Sequence, residues 1–170
     1  MTAECGLRPG RIRWPAGHLA WFFDGISEFE GAATTFLAEG AARGERLMLV
    51  ADSPRADLWP RGLVDSGDLI VASTSETYGP GRLVSPEAQR RTFESALKEA
   101  VALGYTGLRV ASDNTSLTFG PERLAAWISW EEEADRFMTV NPFTGMCAFD
   151  RSRAGATALA AVRRLHAVSA

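Results

Sequence analysis

Hydrophobic residues along the chain form short continuous runs that alternate with longer segments of helical spacing. The short runs stop at acids, serines or glycines, which is typical of buried strands. They cover residues 19–24, 45–52, 68–73, 106–113 and 145–150. The longer segments place apolar residues on one helical face, and they cover residues 26–44, 86–104, 121–137 and 154–168. A short helix fits between the second and third strands.

Strands that alternate with amphipathic helices predict an α/β fold with a mostly parallel central sheet and helices on both faces. The chain has 170 residues, of which 46% are apolar and 23% are charged, enough for one domain with a full core. Residues 1–17 show no periodicity, so we expect an irregular lead-in there and one domain over 18–170.

Charge and cysteine content indicate the cellular compartment and the kinds of partner to expect. The net charge of −3 gives no reason to expect direct contact with nucleic acid or with an acidic membrane. The two cysteines, Cys5 and Cys147, are too few for a disulfide framework. The sequence shows no signal peptide and no apolar stretch of about 20 residues. We therefore expect a cytoplasmic protein that does not enter membranes.

The turn after the first strand is where a phosphate-loop enzyme keeps its catalytic loop. That loop needs glycines for close backbone approach, a lysine for the terminal phosphates and a Ser or Thr for Mg²⁺. The sequence there is FDGISEFEG (23–31), which has two glycines, no lysine and three carboxylates. Acids suit a helix N-terminus but repel a triphosphate, so phosphate binding is disfavoured.

The segments downstream of this turn nevertheless resemble RecA/KaiC-type ATPases. FLAEGAARGERLMLVAD (36–52) resembles the helix-to-strand passage that follows their phosphate loop. LRVASDN (108–114) resembles their second acidic motif, a buried strand that ends in Asp. We therefore expect a degenerate RecA/KaiC-like three-layer sandwich in which the catalytic turn is replaced.

The ordered set of motifs from about residue 17 to 153 resembles the MEDS family, the methanogen/methylotroph DcmR-type sensory domain. The motifs are GHLAWFFD with His18, FLAEGAARGERLMLV, TGLRVASDN, the pair Trp130-Glu131, and MCAFDRSR with Cys147 and Asp150. The resemblance implies a sensory domain for small hydrocarbon-derived or one-carbon compounds, linked to transcription factors, histidine kinases or anti-sigma modules. The chain ends at residue 170 without an output domain, so a stand-alone sensor and a piece of a longer regulator are both open.

Ligands of parallel sheets bind beyond the carboxyl ends of the strands. Asp24, Asp113 and Asn114 stand at such ends, although Asp113 with Asn114 fits a turn-capping pair equally well. Residues 74–85 contain glycine and proline and are expected to form a loop. Tyr78 within it is predicted to be an exposed lid contact.

His18 and Cys147 are further candidate ligand contacts. For His18, which precedes a strand, ligand binding and a loop-pinning role are evenly matched interpretations. Cys147 lies within an apolar strand, where an inert buried thiol is commoner than a reactive one. The two residues offer a metal only two ligands with no third at a useful spacing, so neither a metal nor another cofactor is expected.

The acidic run Glu131–Glu133 lies on a predicted helix, so at least two of its carboxylates must face solvent. Because Glu131 follows Trp130, we expect Glu131 to turn inward as a candidate ligand contact. A buried carboxylate needs a partner, for which Arg109 and His18 are the candidates.

The aromatic residues of the first strand cannot all face one ligand. Strand alternation places Phe22 on one face of the sheet and Trp21 with Phe23 on the other. At most one set lines a ligand pocket, and core packing is the default for most aromatics. Phe23 is retained as a candidate ligand contact.

Two functional hypotheses follow. The leading one is a non-enzymatic sensory domain that binds a small organic ligand and signals to a transcriptional, kinase or sigma-factor regulator. The alternative is a ligand-free interaction module in such a pathway, in which the apolar, Arg-bearing helix 154–168 docks a partner helix. A residual enzyme is disfavoured because the sequence lacks a phosphate-loop lysine, a Ser-His-Asp set and a paired-metal acid cluster. A homodimer is compatible with either hypothesis.

Overall fold

A computed structural model describes Trp14 and residues 16–166. Within these residues the strands are β1 (His18–Phe23), β2 (Arg46–Ala51), β3 (Leu69–Ser73), β4 (Leu108–Asp113) and β5 (Phe143–Asp150). The helices are α1 (Ile26–Ala42), α2 (Arg61–Asp65), α3 (Thr74–Tyr78), α4 (Pro86–Ala102), α5 (Pro121–Val140) and α6 (Ala156–Leu165). The strands form one parallel sheet in the order β1-β5-β4-β2-β3. The predicted α/β class with a parallel sheet flanked by helices is confirmed.

The sheet separates two hydrophobic cores, one on each face. On one face, α1 packs Phe36 and Leu37 against the strands, and α2 adds Leu63. On the other face, α4 and α5 contribute Phe93 and Trp127, and α3 and α6 complete this core. Both faces are therefore covered, as the apolar strands require.

Alternation along β1 divides its aromatic residues as predicted. Phe22 lies in the core beneath α5, with its ring centroid 6.2 Å from that of Phe149. Phe23 lies in the core beneath α1, 5.3 Å from the ring of Phe29. Because alternate residues share a face, His18 lies on the same side of the sheet as Phe22.

Arg109 is fully buried on the α1 face of β4. Its Nε donates to Glu45 Oε2 at 2.5 Å, and its guanidinium lies 4.7 Å from the centroid of the Phe36 ring. The prediction of Arg109 as a partner for Glu131 is therefore wrong, because strand alternation directs Arg109 away from α5.

Residues 74–78 form the short helix α3, although a loop was predicted. Ser73 Oγ accepts the Glu76 N–H at 3.2 Å, and the Glu76 carboxylate accepts the Ser73 N–H at 2.7 Å, which completes a capping box. The helix turns Tyr78 into the core against Phe93, where Tyr78 is 7% exposed. The prediction of an exposed Tyr78 lid is wrong, because the capped turn buries the ring.

Trp14, Ala16 and Gly17 are the residues of the predicted lead-in that the structure describes. Among them, Trp14 is attached to the domain. It is buried, and its indole N–H donates to Thr35 Oγ1 at 3.2 Å, which attaches it to α1. Cys5 and the rest of residues 1–13 fall outside the described residues. Among the helices described over 16–166, none combines the length and apolar character needed to cross a membrane.

Candidate functional site

Four side chains with metal-ligand chemistry converge on the α5 side of the sheet. They are His18 at the start of β1, Glu131 in α5, Cys147 in β5 and His166 immediately after α6. One ligand atom from each residue lies within 4.8 Å of the others. All four side chains are buried, and Glu131 is 1% exposed. These residues are called the four-residue cluster below.

Strand register and helix phase position the cluster. In the parallel pairing of β1 with β5, Ala20 lies opposite Cys147, so His18 is diagonally adjacent to Cys147 on the same face. α5 packs over this face and directs Glu131 toward both side chains, while Glu132 on the same turn is exposed. The predicted inward orientation of Glu131 is confirmed.

The polar atoms of the cluster are in close contact. His18 Nε2 and His166 Nε2 each lie 3.0 Å from Glu131 Oε2, and 3.2 Å from each other. His18 Nε2 is also 3.3 Å from Cys147 Sγ, which lies 3.6 Å from Glu131 Oε1. Neither Nε2–Oε2 contact has hydrogen-bond geometry, and Oε2 has no hydrogen-bond partner among the described residues. Such an atom is costly to bury.

The outer nitrogen of each imidazole faces an oxygen. His166 Nδ1 lies 2.9 Å from the Val162 carbonyl oxygen, one helical turn earlier. His18 Nδ1 lies 3.6 Å from Asp135 Oδ1, one turn after Glu131 on α5. Both rings therefore present Nε2 to the centre of the cluster.

Burial and mutual charge set the protonation of the cluster. Burial disfavours a charged Glu131, but the His18 and His166 rings outweigh it and lower the pKa of Glu131 to about 2. Burial also opposes charge on His18, yet the carboxylates of Glu131 and Asp135 raise its pKa above the ordinary value. Burial and the nearby Glu131 charge raise the pKa of Cys147 well above its usual range. Without an added cation, Cys147 is therefore a thiol.

A small cavity adjoins the cluster between α5 and the sheet. Its volume is about 10 Å³, which is room for roughly one water-sized molecule. Tyr78, Ser112, Glu131 and Cys147 give it polar atoms. Its apolar walls are Phe93, Val110, Trp130, Met138, Phe143 and Met146. Ser112 was not predicted, since a serine within a buried strand carries no signal of its own.

Asp113 and Asn114 serve different purposes at the end of β4. Asn114 Oδ1 accepts a hydrogen bond from Ser112 Oγ at 2.5 Å, and Ser112 lines the cavity. Asp113 Oδ1 accepts the N–H and the hydroxyl of Thr115, at 3.0 and 2.6 Å. Thr115 Oγ1 accepts the Asp150 N–H at 2.9 Å, which joins the ends of β4 and β5. For Asp113, this geometry supports the turn-capping interpretation.

Phe23 and Asp24 are not brought together with His18. Phe23 lies in the core beneath α1, with the sheet between it and the cluster. Asp24 is exposed at the end of β1, where its carboxylate pairs with Arg151 at 2.7 Å. These two candidate ligand contacts therefore lie apart from the cluster, because alternation and strand length separate them from His18.

His166 is the cluster member that sequence reasoning missed. The expectation that His18 and Cys147 lack a third ligand is corrected, because the fold supplies two more potential ligands. A signal for His166 was present: at a spacing of four residues it continues the buried stripe of Ala158 and Val162 on α6.

Another cavity is an open groove between the starts of α5 and α6. Its volume is about 580 Å³, and most of its lining is apolar. Phe119 is 39% exposed at its margin, and the Arg153 guanidinium lies 5.6 Å from the centroid of that ring. Leu124 and Ile128 of α5 and Ala158 of α6 form its walls.

The fold and the site together define an α/β domain with carboxylates at the turn after its first strand and a buried ionisable cluster on the opposite side of the sheet from α1. The sequence model of the MEDS family, the MEthanogen/methylotroph, DcmR Sensory domain, matches residues 17–167. The chain therefore belongs to the MEDS family of sensory domains. A comparison with curated proteins gives no match.

Among solved structures, the chain is similar to the flagellar accessory protein FlaH from Methanocaldococcus jannaschii, with a TM-score of 0.53 and 6% sequence identity. The similarity covers 90% of this chain and 69% of the FlaH chain. At this identity the likeness shows a shared fold and nothing about function.

Proposed function

We propose that this protein is a non-enzymatic sensory domain that binds an organic ligand of one-carbon size in the cavity beside Glu131 and Cys147. The cavity itself carries the proposal, because it is a mainly apolar enclosure with a few convergent polar groups next to perturbed ionisable residues. A volume of about 10 Å³ holds roughly one water-sized molecule, so only the smallest one-carbon compounds suit it. Membership of a sensory family supports the role.

The turn after β1 supports a role without nucleotide hydrolysis. Glu28 Oε2 accepts the Asp24 N–H at 2.6 Å, so a carboxylate lies at the start of α1, where a phosphate would otherwise bind. Asp24 adds a second negative charge, paired with Arg151. A triphosphate would meet these charges without a lysine in the turn to offset them.

A ligand in the cavity would contact several elements at once, since the walls come from α3, α4, β4, α5 and β5. A ligand shifts a conformational equilibrium only as far as it binds one state better than the other. Tyr78 belongs to the five-residue helix α3, and Arg82 after it has a left-handed φ of 52°. We infer that occupancy is transmitted through this short segment to a transcriptional, kinase or sigma-factor partner.

Amide NMR spectra of the full chain, recorded during titration with methanol or methylamine, test the proposal. We expect at least one probe to shift the signals of Tyr78 and Ser112 saturably. Val110→Ile should fill the cavity and abolish the shifts, and Val71→Ile on the opposite face should not. If no probe shifts these signals and native mass spectrometry of protein from its host shows no retained small molecule, the proposal fails.

A ligand-free interaction module is a second candidate, favoured by the open groove between α5 and α6. The groove is wide enough for side chains of a partner helix, and Arg153 at its edge can pair with an acid on that helix. A partner that binds the wild type and Val110→Ile but not Leu124→Glu would favour this function. Equal binding by all three proteins would exclude the groove.

A further inference from the structure

We propose that the four-residue cluster is a binding site for a divalent transition-metal ion, with zinc as the best-fitting ion. His18 and His166 supply imidazole nitrogens, Glu131 a carboxylate oxygen and Cys147 a sulfur. A mixed set of nitrogen, oxygen and sulfur donors is typical of Zn²⁺ and its neighbours, whereas Mg²⁺ and Ca²⁺ take oxygen ligands. The metal would be bound whether or not the adjoining cavity is occupied.

Proton positions within the cluster favour a cation at its centre. The Val162 carbonyl only accepts hydrogen bonds, so His166 Nδ1 carries the ring proton. In the neutral ring, His166 Nε2 then presents a lone pair toward His18 Nε2 at 3.2 Å and Glu131 Oε2 at 3.0 Å. One proton on His18 Nε2 can serve Glu131 Oε2 at 3.0 Å or His166 Nε2 at 3.2 Å, but not both in full. A metal ion satisfies all of these atoms at once.

The spacing of the ligand atoms approaches that of a tetrahedral centre. Zinc–nitrogen bonds of about 2.0–2.1 Å and zinc–sulfur bonds of about 2.3 Å place neighbouring ligand atoms about 3.3–3.6 Å apart. The two Nε2 atoms are 3.2 Å apart, and His18 Nε2 is 3.3 Å from Cys147 Sγ. All four ligand atoms lie within 4.8 Å of one another, so a movement of the side chains by up to about 1 Å would complete the coordination.

The surroundings hold the ligands in place for a metal. His166 Nδ1 donates to the Val162 carbonyl, and His18 Nδ1 faces the Asp135 carboxylate. Metal-binding histidines characteristically use their outer nitrogen in this way, which fixes the ring orientation. Because Glu131 also lines the cavity, an occupant of the cavity would touch a ligand of the metal.

Metal binding would also balance the charge that the cluster buries. Cys147 as a thiolate and Glu131 as a carboxylate carry two negative charges, which match a divalent cation. The thiol proton, together with any proton on His18 Nε2, passes to solvent as the metal–ligand bonds form, and no electron is transferred. No charge within the four-residue cluster is then left unpaired.

Cobalt substitution of the tag-free full chain tests the site. Co²⁺ bound through a thiolate gives a sulfur-to-metal charge-transfer band, and a tetrahedral site gives intense d–d bands. We expect both, with one Co²⁺ per chain. Cys147→Ser should lose the charge-transfer band, and Cys5→Ser, at the only other cysteine of the sequence, should keep it.

Two glutamates on the same turn of α5 provide a second matched pair of variants. Glu131→Gln should weaken Zn²⁺ and Co²⁺ binding by more than about tenfold. Glu132→Gln, on the exposed side of the helix, should leave both affinities unchanged. Equal affinities for the two variants would remove Glu131 from the proposed site.

X-ray absorption at the zinc edge of the wild-type protein avoids reliance on variants that could misfold. We expect one sulfur neighbour, with nitrogen and oxygen atoms completing the coordination. A wild-type chain that binds neither Zn²⁺ nor Co²⁺, or whose metal has no sulfur neighbour, overturns the proposal. A charge-transfer band that is unchanged in Cys147→Ser overturns it as well.

Discussion

Burial of Asp113 disfavours the charged form of its carboxylate. Burial raises the pKa of Asp113 above the ordinary value, and the two hydrogen bonds from Thr115 offset only part of this effect. The folded state therefore holds the Asp113 proton more tightly than the unfolded chain does. The contribution of this group to stability is fully present below the ordinary pKa and is lost as the pH rises through the raised pKa.

Asp113→Asn removes this charge and keeps an oxygen that accepts both Thr115 hydrogen bonds. We expect the variant to gain stability relative to the wild type as the pH rises from about 4 to about 7. Urea unfolding of both proteins across this range measures the difference. Thr118→Asn, a neutral exchange in the same turn, should retain the pH dependence of the wild type. A constant offset between Asp113→Asn and wild type would contradict the assignment.

The ion pair between Glu45 and Arg109 allows a second prediction for single residues. Glu45→Ala should cost about 3 kcal/mol, because it leaves the fully buried guanidinium without its counter-charge. Glu87→Ala removes the partner of Arg91, in a pair with both side chains exposed, and should cost less than about 1 kcal/mol. Chemical denaturation of the two variants gives the comparison, and similar losses would contradict it.

Three members of the four-residue cluster could be singled out from the sequence, each by its local setting. His18 precedes a strand, Glu131 follows a tryptophan on a helix, and Cys147 interrupts an apolar strand. Their convergence could not be predicted, because it depends on the register of β1 against β5 and on how α5 crosses the sheet. His166 was missed for a related reason. Its contacts depend on how α6 packs against the rest of the domain, and the sequence does not show this.

At the scale of the element, α1 depends on one glycine to approach the sheet. A Cβ atom at Gly40 would lie 2.6 Å from Arg109 Cδ and 2.9 Å from Leu47 Cδ2, closer than packed atoms allow. Gly31, earlier in the same helix, faces open space. Gly40 therefore sets the contact between α1 and strands β2 and β4.

These two glycines give a matched test within one helix. Gly40→Ala should lower the free energy of unfolding by about 1–3 kcal/mol, because the methyl group must displace Arg109 or Leu47. Gly31→Ala should raise it by up to about 1 kcal/mol, because alanine favours the helix. Guanidinium unfolding measures both changes. A gain in stability for Gly40→Ala would show that α1 can shift without cost.

The long elements were predictable because their periodicity extends over many residues. Strands and helices such as β5 and α4 begin and end within two residues of their predicted bounds. The five-residue helix α3 was missed because one turn is too short for a periodic pattern. Its capping box, Ser73 with Glu76, is present in the sequence but was outweighed by the glycines and proline that follow.

At the scale of the whole molecule, the four-residue cluster joins the beginning of the described chain to its end. A metal bound there would stabilise the folded state alone, because an unfolded chain does not bring these side chains together. Chelation should therefore lower the Tm by about 5 °C or more, with recovery on adding Zn²⁺. Cys147→Ser should melt at the same temperature with and without chelator. A wild-type Tm unaffected by chelator would contradict this prediction.

The strand order also constrains how the protein can be made. β1 leaves the ribosome first, but its neighbour in the sheet is β5, the last strand to be synthesised. During translation, β1 therefore presents an unpaired apolar edge while most of the chain is still being added. His18 meets the full set of its cluster partners only after residue 166 has been synthesised. A chain interrupted before β5 lacks the sheet partner of β1, and a chain interrupted before residue 166 lacks the completed cluster.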